Sequence, residues 1–110
     1  MLFDTDGTIT TVIQEGVSPK VFLENLNEAY SKVQQQHLVL NLSPLGNLTE
    51  SEIAAFQHLS DTHRGKGKSF VLVSDAMDYE DIPEDLCLVP TLQEAMDIIE
   101  MEEIERDLGF

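Results

Sequence analysis

The residues best suited to chemistry lie at the start of the chain, MLFDTDGTIT. Asp4 and Asp6 are two carboxylates one residue apart, followed at once by Gly7 and Thr8. Such a pair can hold a divalent cation and divide nucleophilic and acid/base work. Asp-Gly beside a β-branched run is also the composition of a tight hairpin turn. The rest of the chain has to decide between a catalytic loop and a turn.

The other candidates are weaker. Gly67-Lys68-Ser69 has the ending of a phosphate-cradling P-loop, but Thr62 stands where its first glycine belongs. The stretch also leaves a helix and enters a strand, the reverse of what that loop requires. His37, His58 and His63 are scattered. His58 and His63 are poorly aligned on a helix for chelation, and all three are expected at surface or half-buried positions. Asp75, Asp78, Glu80, Asp81, Glu84 and Asp85 lack the spacing and glycine of a calcium loop and read as a solvated acidic segment. No Ser-His-Asp or Cys-His arrangement follows from spacing. The single cysteine, Cys87, cannot form an internal disulfide, and within LCLV it reads as a buried strand residue. No metal, no cofactor and no catalytic set is expected.

Composition narrows the function classes. The 110 residues suit one domain with a small core, and 42% hydrophobic with 25% charged residues is ordinary for a globular chain. No apolar run is long enough to span a bilayer, and no basic region followed by an apolar stretch marks a secretory signal. A reducing, cytoplasmic location is expected. The net charge of -15 repels nucleic-acid phosphates and anionic lipid. From Asp75 onward thirteen acids face one base, Arg106. A partner of that face should be neutral or basic.

The elements that must position these residues are readable in order. Thr8 to Ile13, rich in β-branched residues, predicts a hairpin with Asp6-Gly7 as its two-residue turn. Ser18 as N-cap and Pro19 at the first helical position open a helix ending near Gln36. Its inner stripe is Phe22, Leu26, Ala29, Tyr30 and Val33. His37 to Leu42 reads as a buried strand. Thr49 and Glu52 make a capping box for a second helix running to about His63, with Ile53, Phe56, Leu59 and Ser60 inward and Gly65 as C-cap. Ser69 to Asp75 and Leu86 to Val89 are further strands. Pro90-Thr91 starts the last helix, with a second capping box from Thr91 and Glu94 and with Leu92, Ala95, Met96 and Ile99 inward. Ile98, Met101, Ile104 and Leu108 form a second apolar line, so this helix has two sides to satisfy. The order ββαβαβα predicts an α/β fold with a mainly parallel sheet flanked by helices and an antiparallel edge.

Three resemblances bear on function. FDTDGT resembles the nucleophile loop of the haloacid-dehalogenase phosphotransferases. That likeness implies Asp4 as nucleophile, Asp6 as acid/base, and both as Mg²⁺ ligands in a phosphatase. Such a loop should follow a buried central strand, yet only Met1, Leu2 and Phe3 precede Asp4. Ser74-Asp75 ends a strand and Asp78 with Asp81 mimics the metal-binding acids, but Lys66 and Lys68 precede that strand instead of following it. The turn is the preferred reading.

The whole layout resembles the STAS domain of bacterial anti-sigma-factor antagonists. LVLNLS (Leu38 to Ser43) is similar to that family's central strand. NLTESEI (Asn47 to Ile53) falls at its strand-to-helix junction, KSFVLVS at the next strand, and LVPTLQEAMDIIE at its ending. The likeness implies one STAS-like domain over 1–110, no catalysis, and a partner such as a kinase or anti-sigma-type protein. In that family the junction serine is phosphorylated. Here Thr49 falls on the family's aspartate, Glu50 on its phosphoserine, Ser51 on the next residue and Glu52 on its glycine. The expected partner-binding or regulatory residues are Asn47, Thr49, Glu50, Ser51 and Ile53. Capping explains Thr49 and Glu52 and says nothing about Glu50. The outer line of the last helix offers a second contact or a homodimer seam.

The tail, EMEEIERDLGF, resembles short bacterial proteins sometimes labelled ribonuclease Z. The chain lacks the H-x-H-x-D-H cluster of that nuclease, so this likeness implies at most an accessory protein of an RNA-processing enzyme.

Overall fold

In the computed structural model, residues 1–109 are described, so the tail EMEEIERDLGF is described except for its last residue. Five strands and three α-helices follow in the order ββαβαββα, one strand more than the expected ββαβαβα because β4 and β5 follow each other with no helix between them. β1 (Leu2–Asp6) and β2 (Ile9–Ile13) pair as an antiparallel hairpin in which Asp6 faces Ile9. The turn is therefore Gly7-Thr8, one residue later than expected. Gly7 has φ 60, the left-handed backbone that a type II′ hairpin needs at its first central position. Asp6 is the last strand residue.

α1 (Pro19–Val33) is capped by the Ser18 hydroxyl, which accepts from the Val21 N–H at 3.2 Å. It ends earlier than Gln36, in a short turn before β3 (His37–Asn41). α2 (Glu50–Arg64), β4 (Phe70–Val73), β5 (Leu88–Val89) and α3 (Leu92–Asp107) complete the fold. The sheet order is β1-β2-β3-β4-β5, with β2 to β5 mutually parallel. No helix joins β4 to β5. The acidic segment between them carries only one 3-10 turn, Tyr79–Asp81.

Strand alternation sorts the side chains onto two faces. Val12, Leu38, Leu40, Phe70, Leu72 and Leu88 meet Phe22 and Leu26 of α1 and Ile53, Phe56 and Leu59 of α2. Phe22 and Phe56 lie 6.1 Å apart between ring centroids, and each contributes about 1.5–3 kcal/mol by burial. On the other face Val39, Val71, Val73 and Val89 meet Ala95 and Ile99 of α3. β3 and β4 are covered on both sides; β4 is wholly apolar and β3 is apolar at Leu38, Val39 and Leu40 between His37 and Asn41, as a parallel centre requires. Leu92, expected inward, is 40% exposed because it opens α3 at the sheet's rim.

Candidate protein-interaction site

All three helices begin at the carboxyl end of the parallel strands, so their N–H ends cluster there. Between β3 and α2 the chain makes one 3-10 turn at Ser43–Leu45. Gly46, at φ 70, then redirects it toward Thr49. The Thr49 hydroxyl accepts from the Glu52 N–H at 3.3 Å, and the Glu52 carboxylate accepts from the Thr49 N–H at 2.8 Å. The expected capping box is complete. At α3 only half of one forms. The Thr91 hydroxyl accepts from the Glu94 N–H, but the Glu94 carboxylate takes that same hydroxyl's proton.

The structure brings the five expected site residues together but gives them different roles. Asn47, Thr49, Glu50 and Ser51 are exposed. Ile53 is 8% exposed and belongs to the core, so it anchors the turn. Glu50 and Ser51 open onto different hollows. One, of about 290 Å³, lies between Glu50, Ile53, Ala54 and Gln57 on α2 and Asp81 and Pro83 opposite. A neighbouring hollow of the same size runs from Asn47 and Leu48 to Met77, Asp78 and Ile82. Ser51 instead lines a groove of about 410 Å³ between α1 and α2, with Lys20, Leu23, Asn27 and Ala55. The Ser51 hydroxyl is 3.2 Å from that of Thr49. Glu50 and Glu52 in the first turn both oppose the positive end of the helix dipole.

Two buried histidines went unforeseen. His63 is fully buried and His37 is 5% exposed, against the expectation of surface positions; only His58 is exposed. His63 Nε2 donates to the Gln36 carbonyl at 2.7 Å, and its Nδ1 faces Tyr30 Oη. Burial lowers its pKa to about 4. His37 Nδ1 accepts from the Ser69 N–H at 2.8 Å, and Nε2 meets Glu103 at 2.7 Å. Burial also lowers the His37 pKa, opposed by the Glu103 contact. Ser69 Oγ is engaged by Glu102 at 2.5 Å and by Arg106 at 3.0 Å, and Arg64 holds Glu102 at 3.0 Å. Neither imidazole points a nitrogen at that hydroxyl, so the cluster ties α3 to the starts of β3 and β4 and is not a nucleophile–base pair. Every partner is remote in sequence, and no local signal marks it.

Asp4 and Asp6 lie on β1, an edge strand with all five residues exposed, and not after a buried central strand. Among the described residues no group of three or more His, Cys, Asp or Glu is placed to hold a metal ion. Burial pushes the Cys87 thiol pKa up, away from reactivity. Among the described residues no helix is long and apolar enough to cross a membrane.

A hairpin-edged, mainly parallel five-stranded sheet, with two helices on one face and the last helix on the other, is a STAS-like fold. Two solved structures share it. RsbS of Moorella thermoacetica, in a serine-to-glutamate variant, superposes with a TM-score of 0.68 at 19% identity over 96% of this chain and 97% of that one. A Thermotoga maritima protein provisionally described as an anti-sigma factor antagonist gives 0.64 at 12% identity over 90% and 93%. No family model and no curated protein sequence matches the chain. The likeness is one of fold.

Proposed function

We propose that this chain is a non-catalytic regulatory domain that binds a protein partner, of the kinase or anti-sigma type, through the first turn of α2. The observation that carries this is the exposed ridge Thr49-Glu50-Ser51, set between two hollows at the carboxyl end of the sheet. The fold it shares with RsbS supports the reading. That RsbS structure carries a glutamate introduced in place of a serine; here Glu50 is a permanent charge at the head of a helix. Of the two neighbouring hydroxyls, Ser51 is the one open to phosphorylation. Thr49 Oγ1 is committed to the Glu52 N–H, whereas Ser51 faces a groove that holds Lys20, a cation able to pair a phosphate, beside the carboxylates Glu24 and Glu52.

The test is capture of the tagged protein's partners from native lysate, with mass spectrometry of phosphate on Thr49 and Ser51. Glu50→Lys and Ser51→Lys should each reduce recovery of a kinase-like or anti-sigma-type partner while leaving the fold intact. Full recovery by both variants would remove the ridge as the binding surface.

A further inference from the structure

The second surface lies on α3, on the other face of the sheet. Ala95 and Ile99 take the inner side of this helix. Met101, Ile104 and Leu108, spaced i, i+3 and i+7, form one stripe on the outer side. They are 56%, 54% and 66% exposed. Glu100 and Asp107 flank the stripe on one side and Glu105 on the other, all exposed, with Asp97 at its head.

The remaining charges of this half of the helix are turned inward. Glu102 is held by Arg64, Glu103 by His37, and Arg106, the only base on α3, by Ser69. The outer face is therefore an apolar stripe bordered by carboxylates, with Lys68 and Arg106 lying beside Asp107 alone, at one edge. A second copy of the chain would set Glu100 and Glu105 against carboxylates of its own kind, within two bodies each carrying -15. Anionic lipid and nucleic acid are repelled by the same field. An amphipathic helix with an apolar stripe between lysines or arginines matches both features.

We infer that the outer face of α3 is a docking surface for a cationic amphipathic helix of a partner protein. It is separate from the α2 ridge. Glu102, Glu103 and Arg106 pack over the starts of β3 and β4, whereas Thr49 lies beyond the end of β3.

The experiment uses the full chain and two fluorescent helical peptides with the same leucine stripe, one flanked by lysines and one by glutamates. The lysine peptide should bind, weaken as salt rises, and lose about tenfold or more in affinity to a Met101→Ser, Ile104→Ser double variant. Exposed substitutions of this kind leave the fold in place, checked by circular dichroism. Glu50→Lys should leave peptide binding unchanged, which separates this result from that of the α2 ridge. The inference is overturned if the lysine peptide fails to bind or binds the double variant equally well. It is also overturned if the glutamate peptide binds as tightly, or if the chain sediments as a dimer that Ile104→Asp dissolves.

Discussion

Tyr30 Oη and His63 Nδ1 lie 2.6 Å apart and join α1 to α2 over one face of the sheet. The Gln36 carbonyl can only accept, so His63 Nε2 carries the ring's proton and Nδ1 accepts from the tyrosine hydroxyl. Both nitrogens of a neutral, buried imidazole are thereby satisfied. Lys66, 4.5 Å from the centroid of the Tyr30 ring, adds positive charge nearby and further disfavours the imidazolium.

This arrangement sets a pH dependence. The folded-state pKa of His63, about 4, lies below its ordinary value of 6.5. The unfolded chain takes up the proton first. The stabilisation is present above pH 6.5 and is lost as pH falls toward 4, about 3 kcal/mol in total. His37, also lowered, acts in the same direction. Urea unfolding at pH 7.5 and at pH 5 should show a loss that is smaller in His63→Gln than in the parent. Equal losses would mean that His63 does not stay neutral in the fold.

Tyr30→Phe removes the donor to a buried nitrogen and leaves it without a partner. The expected cost is about 1–3 kcal/mol, read as a lower urea midpoint with an unchanged slope. A double-mutant cycle with His63→Gln should give much less than the sum of the two single losses.

Thr49→Ala should destabilise the protein by about 1 kcal/mol through loss of the cap. Glu50→Gln, in the same turn but outside the box, should change stability by only a few tenths to about 1 kcal/mol through the helix dipole. Comparable large losses in both would place Glu50 in the fold's support and not on a free surface.

The Asp4 and Asp6 pair makes a third kind of prediction. On an exposed edge strand the two carboxylates lack the surroundings of a phosphotransferase loop. With Mg²⁺ and an aryl phosphate the protein should show no turnover beyond buffer. Turnover that disappears in Asp4→Asn would restore the phosphatase reading.

What was legible in the sequence was local. Ser18-Pro19 and Thr49-x-x-Glu52 name their helix starts because cap donors and acceptors lie within three residues of each other. The apolar runs of β3 and β4 name the sheet's centre for a similar reason, since each run carries its own burial signal. The hairpin slipped by one residue because Asp6-Gly7 and Gly7-Thr8 both place a glycine in a two-residue turn, and only pairing with β2 selects between them. His37 and His63 were misplaced because what makes their burial tolerable comes from Ser69, Tyr30 and Gln36, side chains and backbone brought together only by the fold. At the candidate site, the capping box named Thr49, and only the resemblance to the anti-sigma-factor antagonists brought Glu50 and Ser51 forward. Their divergence onto separate hollows depends on how α1 and the Ala76–Pro83 segment flank the turn.

The sheet is laid down strictly in chain order, and even its most distant ladder partners, Leu38 and Phe70, belong to successive strands. Its contacts are accordingly local for an α/β protein, which favours rapid folding. During synthesis each strand can join its predecessor as it emerges. The exception is α3, made after all five strands. Until it docks, Val39, Val71, Val73 and Val89 form a bare valine-rich surface, so the interval between completion of β5 and arrival of α3 is when a nascent chain is most exposed to aggregation and to chaperone capture.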